Sequence, residues 1–429
     1  MSTRFPLVTS IGLALTLCAA AQAQNATAHY VVHDLGALPG GGFSQPGTLN
    51  DAGVVAGVSV ASDGFQHAVL WVGGHLVDLN HPDDHGLNAM AFGINSLGRV
   101  SIQTETSAYD PNGEDFCAYG RHDPHVCVAA AWQGGRFISL RTLGGNNSTV
   151  GNVNSFGQIA GVAETADSDP SCASKLPSQK LRYQAVIWGP DLQSKKPLPL
   201  LGNDTVSVAL WVNDKGQAVG ASGACSNTQP PAPAYGSHAV LWEADGTPVD
   251  LGNLGAATLN AGIGINNLGE VVGASSLRDD ATLSNGNVGF LWTRQHGMKN
   301  LGTVPGDTAS AALAINDAGE IVGVSTDSAG NNRAAYWHNG RPVDLNTQVA
   351  AGSNLYLLFA AAINNRGEIT GWGKDTSTGE IHAYLAVPNR MHDGTIPDVQ
   401  FNSPAIAPPA LPDEVRQRLS RGYMGRNQH

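Results

Sequence analysis

A stretch of ten residues returns seven times along the chain, and few folds can accommodate it. Its cleanest copy is Ala314-Ile315-Asn316-Asp317-Ala318-Gly319-Glu320-Ile321-Val322-Gly323. Two short apolar runs flank Asn-x-x-Gly, the residue order of a hairpin with a type I turn. Asn opens such a turn through a side-chain-to-backbone hydrogen bond, and Gly takes the left-handed position that ends it. The pairs are Asn50 with Gly53, Asn95 with Gly98, Asn154 with Gly157, Asn213 with Gly216, Asn266 with Gly269, Asn316 with Gly319 and Asn364 with Gly367. A second Gly follows four residues later in all copies but that of Asn95, which has Ile102.

Each hairpin is followed by an apolar run ending in Trp, as in His67-Ala68-Val69-Leu70-Trp71 and His238-Ala239-Val240-Leu241-Trp242. Six of the eight tryptophans occupy this register, and His382-Ala383-Tyr384-Leu385 is the one copy without it. A short turn and a fourth run ending in Asp-Leu complete a repeat of about 50 residues, the size of a propeller blade. The ends of the pattern are offset. Residues 31–36 are a lone fourth strand, and the last repeat stops after its third strand at residue 387. A linear array has no use for that offset. A ring uses it as a clasp, so the expected fold is an all-β, seven-bladed propeller over residues 24–387 whose N-terminal strand completes the last blade.

Residues 1–23 read as a signal peptide: Arg4 is the basic region, residues 7–17 the apolar one, and Ala21-Gln22-Ala23 the cleavage site. No later stretch is apolar enough to span a membrane. The formal charge of −12 becomes −13 once Arg4 is removed, which argues against nucleic acid or an anionic membrane surface as partner. Four cysteines remain after cleavage, an even number that in an exported chain reads as two disulfides. Residues 388–429 read as a proline-rich linker and tail, with a short helix expected over 413–421.

The repeat resembles that of the HAF-repeat family of extracellular bacterial proteins, named for a His-Ala-Phe third strand. Here the third strand reads His-Ala-Val twice and His-Ala-Tyr once. The resemblance implies export and a repeat β fold, and it brings no catalytic residues.

Strand parity divides the faces of the ring. The Asn-x-x-Gly turns lie at one end and are all short. The insertions 104–126, 163–183, 222–236 and 275–287 all lie at the other, and elaboration gathered on one face marks a binding surface. Cys117, Cys127, Cys172 and Cys225 fall in or beside these insertions, with Cys117–Cys127 and Cys172–Cys225 the expected pairs. On the same face, His81, Asp83, Asp84 and His85 in one connection should approach His122, Asp123 and His125 in the next. Such groups can bind a divalent metal or move protons. Pro82 and Pro124 equally suit ordinary turns, so these seven are weak ligand-binding candidates and neither catalytic residue nor metal ligand is assigned. The recurring His67, His238 and His382 point to a repeat-wide hydrogen-bonding role, and the Asp of each Asp-Leu to a structural one. The reading is a monomeric exported module, without cofactor, that binds an extracellular protein or glycan. A secreted propeller hydrolase or lyase acting on polysaccharide is the alternative.

Overall fold

Asn50 shows how the repeat becomes structure. Its Oδ1 accepts the N–H of Val54, and Gly53 N–H closes the turn on the Asn50 carbonyl at 3.0 Å. All seven turns repeat this, with the Asn Oδ1 2.8–3.0 Å from the amide four residues on. The glycine that ends each turn is where the repeat pattern placed it. Gly53, Gly98, Gly157, Gly216, Gly269, Gly319 and Gly367 have φ between 76° and 85°, the region closed to most side chains. Each donates its N–H to the carbonyl of the Asn three residues before it, at 2.9–3.1 Å. The computed structural model describes residues 29–80, 87–117, 119, 124–172, 179–225, 236–282, 285–389 and 406–409.

These strands form seven four-stranded antiparallel sheets. In the first blade they are β2 (Ser44–Leu49), β3 (Val55–Val60), β4 (Gln66–Val72) and β5 (His75–Asp78), ordered from the axis outwards. The strand before them, β1 (Tyr30–Gly36), pairs with Ile381–Pro388 and is the outer strand of blade 7. The clasp is as expected, and so is the all-β class. The signal segment at 1–23 and the helix expected at 413–421 lie outside the described residues.

Every innermost strand carries a register shift shortly before its Asn. Such bulges bend the strand and sharpen its twist, which turns the hairpin tip over the axis. The second Gly follows from the same crowding. A Cβ on Gly220 would stand 1.9 Å from the Val208 carbonyl, and one on Gly323 2.0 Å from that of Ala311.

Blades adhere through side chains that recur in one register. Trp71, Trp188, Trp242 and Trp337 are almost completely buried. The indoles of Trp188, Trp242 and Trp337 donate to carbonyls of the preceding connection, at Arg141, Pro199 and Leu301. A buried Trp removes 150–250 Å² from water, which makes these rings the main apolar contribution between blades. Hydroxyls of Ser44, Ser148, Ser207 and Ser310 accept backbone N–H groups of the preceding blade at 2.9–3.0 Å.

Candidate functional site

The insertion face is more ordered than its loop-like composition implies. In blade 2 the ladder runs on into the insertion, pairing Glu105 with Cys127 and Tyr109 with His125. In blade 3 it reaches Ser168 and Leu181. Both expected disulfides are present, Cys117–Cys127 with Cα atoms 5.3 Å apart and Cys172–Cys225 with 4.7 Å. The first closes the blade 2 insertion on itself, and the second ties the insertion of blade 3 to that of blade 4. The insertions share a core with residues of the inner strands, such as Val162, Val208 and Leu358. Phe116, Cys117, Cys127, Cys172, Tyr183 and Cys225 are all buried in one cluster, with Phe116 edge-on to Tyr183 at 6.0 Å.

A buried carboxylate pair joins the insertions of blades 2 and 3. Glu114 and Glu164 are both fully enclosed. Glu114 accepts the N–H groups of Lys180 at 2.6 Å and Leu181 at 2.9 Å. Glu164 accepts those of Asn146 and Asn147 at 3.1 and 2.9 Å, and the Gln179 amide donates to both glutamates. Burial, and then the neighbouring Glu114 charge, push the Glu164 carboxyl up to about 8, so the pair retains a proton at neutral pH. Asp110 accepts from the Asn147 side chain at 2.8 Å, which adds a third acid to the joint. Sequence reasoning missed this cluster, although a signal was present. Asn88–Glu105 and Asn147–Glu164 share a spacing of 17, and in each pair the Asn donates both its backbone and side-chain N–H to the Glu.

Of the seven weak candidates, His81, Asp83, Asp84, His85, His122 and Asp123 lie outside the described residues. His125 lies at a strand end, its Nδ1 2.7 Å from the Thr106 carbonyl and its ring 4.7 Å from that of Tyr109. The recurring histidines take hydrogen-bonding roles. His67 stands between Asp78 at 2.7 Å and Asp63 at 3.3 Å, and His382 between Asp34 at 3.0 Å and Glu380 at 3.4 Å. In both, the fourth-strand Asp of the Asp-Leu pair is the Nδ1 partner. His238 instead meets Asp204, 3.0 Å away. The bond to Asp34 raises the His382 imidazole above its ordinary range despite partial burial. Asp34, Asp375 and His382 bring potential metal ligands within 4.8 Å of one another. Both ring nitrogens of His382 already face carboxylates, so the geometry is that of an ion cluster satisfied without a metal.

The opposite face holds a cavity of about 200 Å³ at the mouth of the central channel. Around it each Asn of the turns donates its Nδ2 to the carbonyl of the next blade's Asn at 3.0–3.1 Å. The circle closes from Asn364 to Asn50. Outside it stand Asp51, Ser96, Ser155, Asp214, Asn267, Asp317 and Asn365, and side chains of Asp214, Asn267, Asp317, Asn365 and Asp51 each accept the N–H of the preceding blade's residue. The mouth is thus lined by oxygen acceptors committed to holding the turns together.

No protein-family model matches the chain, and no curated protein matches it. Among solved structures, the propeller domain of the trilobed protease from Pyrococcus furiosus aligns over 89% of this chain and 99% of its own, at 11% identity and a TM-score of 0.47. Virginiamycin B lyase from Staphylococcus aureus aligns over 83% and 99%, at 12% identity and 0.46. An oligogalacturonate lyase aligns over 79% and 87%, at 10% identity and 0.45. These likenesses extend to the fold and no further.

Proposed function

We propose that this chain is an exported binding or scaffolding module of the HAF-repeat type, engaging an extracellular protein or glycan through the face that carries the insertions of blades 2 to 4. The observation that supports this is the bracing of those three insertions. A disulfide and a buried carboxylate pair link them in series, while the opposite face is trimmed to Asn-x-x-Gly turns. Long connections lose conformational entropy when ordered, so three of them fixed to one another represent a surface whose shape is maintained. Disulfides of this kind belong to an oxidising compartment, in keeping with a secreted or periplasmic protein. No helix among the described residues is long and apolar enough to cross a membrane.

The test replaces 104–126, 163–183 and 222–236 by short Gly-containing turns, with Cys127→Ser so that no cysteine is left without its partner. The innermost and outermost strands of blades 2 to 4 lie outside these segments, so the trimmed propeller, less stable for the loss of Phe116, Tyr183 and the carboxylate joint, should keep its β-sheet circular dichroism. Binding detected on a panel of extracellular proteins and glycans should disappear with the insertions. Retained binding would place the site elsewhere. A turnover activity on a polysaccharide, abolished by removing the imidazoles of His81, His85, His122 and His125, would turn the reading to an enzyme.

A further inference from the structure

Blade 6 departs from the repeat at one position. Arg333 pairs with Ser325 in the register in which His67 pairs with Ser59, so an arginine stands where three other blades have histidine. Its side chain is 7% exposed and lies between two carboxylates that are 1% exposed. Nε is 3.1 Å from Asp307 Oδ2, off the direction of a good hydrogen bond, and Nη1 is 3.4 Å from Asp344 Oδ2. Burial raises the Asp307 carboxyl above its usual range, although Ser325 and Arg333 oppose it. A buried cluster with two acids and one cation, in imperfect geometry, is a poor device for stability alone.

The cluster has a further engagement. Arg333 Nη1 donates to the carbonyl of Ile406 at 2.7 Å, and the Tyr356 hydroxyl donates to the same oxygen at 3.1 Å. The N–H of Ile406 donates to Asp344 Oδ2 at 2.9 Å. Both backbone groups of one residue, well beyond the last blade, are thus held by three side chains from two blades. Ile406 is 45% exposed, whereas Pro408 and Pro409 are half-buried. The contact reads backbone rather than the isoleucine. Prolines keep such a segment extended and lower the entropy lost when it docks, the physical basis of proline-rich peptide recognition.

We propose that Arg333, Asp344 and Tyr356 form a recognition site for an extended, proline-flanked peptide, and that residues 406–409 are its intramolecular occupant, displaced by a peptide of the same chemistry from another polypeptide. Its three side chains come from blades 6 and 7 and none from the insertions of blades 2 to 4, so the variants that test one reading leave the residues of the other in place. Tethering sets the competition, because a segment of the same chain acts at an effective concentration on the order of 1 mM. An incoming peptide must outcompete that concentration.

The test uses a fluorescent peptide of residues 403–410, Ser-Pro-Ala-Ile-Ala-Pro-Pro-Ala, titrated into the full chain and into a chain ending at Asn389. The shorter chain should bind at least tenfold more tightly, since its site is vacated. A peptide methylated on the Ile406 nitrogen should not bind, while one with Ile406→Ala should bind as well as the parent. Tyr356→Phe in the shorter chain should weaken binding roughly fivefold, the worth of one hydrogen bond, with Tm unchanged. Equal affinity for both chains, indifference to N-methylation, or no binding to a correctly folded shorter chain would each overturn the proposal. Should the shorter chain not fold, hydrogen exchange on the full chain decides. The Ile406 amide should be protected, and should lose protection in Tyr356→Phe or on adding excess peptide. An unprotected amide in the unmodified full chain would equally overturn it.

Discussion

Asparagine at the head of each turn serves two purposes, and only one is visible in a single repeat. Opening the turn needs an acceptor, which Asp or Ser could also supply. Donating Nδ2 to the next blade needs the amide. That demand accounts for Asn in all seven copies, and it appears only once the turns are seen to meet around the axis. Asn95 separates the two roles, since Oδ1 accepts from Leu97 and Arg99 at 3.0 Å while Nδ2 donates to the Asn154 carbonyl at 3.0 Å. Asn95→Asp keeps the turn, loses the donor and sets a carboxylate against a carbonyl, at a loss of about 1–3 kcal/mol. Asn95→Ala loses the turn bonds too and should lose about 2–4 kcal/mol. Chemical denaturation measures both. Because a protonated carboxyl can donate to the carbonyl, the Asp variant should regain part of its deficit near pH 3. An Asp variant as stable as the unmodified protein at neutral pH would remove the belt from the account of stability, whereas a deficit equal to that of Ala would remove the turn bonds.

At the scale of elements, turns, strand order and cysteine pairing were legible because each follows from local spacing and parity. The carboxylate joint was not. Glu114 lies in a polar stretch that reads as solvated loop, and its burial depends on blade 3 arriving beside it. Its energetics carry a sign that can be checked. A Glu164 carboxyl at about 8 in the folded chain, against an ordinary value of 4.5, means that the folded state holds a proton the unfolded chain releases. The stabilisation is complete below about pH 4.5 and is lost as pH rises towards about 8. Tm should therefore fall by roughly 5 °C or more across that window. Glu164→Gln, neutral at every pH, should flatten the decline and exceed the unmodified protein above pH 8. Thermal melts from pH 5 to 9 supply the comparison, and an unchanged slope in the variant would assign the proton elsewhere. The joint is also where the insertion face would respond to acidity, since ionising Glu164 sets two buried carboxylates side by side and loosens the hold of blade 3 on the blade 2 insertion.

The whole molecule closes through its N-terminal strand, and this was the feature most fully expressed in the sequence, as an offset between a lone fourth strand and a truncated last repeat. β1 pairs in one register from Tyr30 opposite Pro388 to Asp34 opposite Tyr384, then shifts by one so that Gly36 lies opposite Ala383. Tyr30 is 1% exposed, and its carbonyl accepts the N–H of Ala350 at 2.8 Å, so the clasp reaches blade 6 as well as blade 7. Deleting 29–36 would bare the edge of Ile381–Pro388 and open the core around Tyr30, Tyr336 and Tyr384. Burying one such side chain contributes about 1.5–3 kcal/mol, so losing the strand should lower stability by about 5 kcal/mol or more. A permuted chain separates loss of the strand from loss of connectivity. Cross-strand partners such as Tyr30 and Pro388 lie about 4.5–5.5 Å apart, close enough for a two-residue turn to join them. Moving 29–36 behind Pro388 through such a turn gives blade 7 the hairpin every other blade already has. Calorimetry should find the deletion melting at least 10 °C below the parent and the permuted chain within a few degrees of it, by the usual scaling of Tm with stability. If the deletion melted with the parent, or the permuted chain with the deletion, closure would have to reside in the asparagine belt and the blade contacts, with β1 no more than a cover on the last blade.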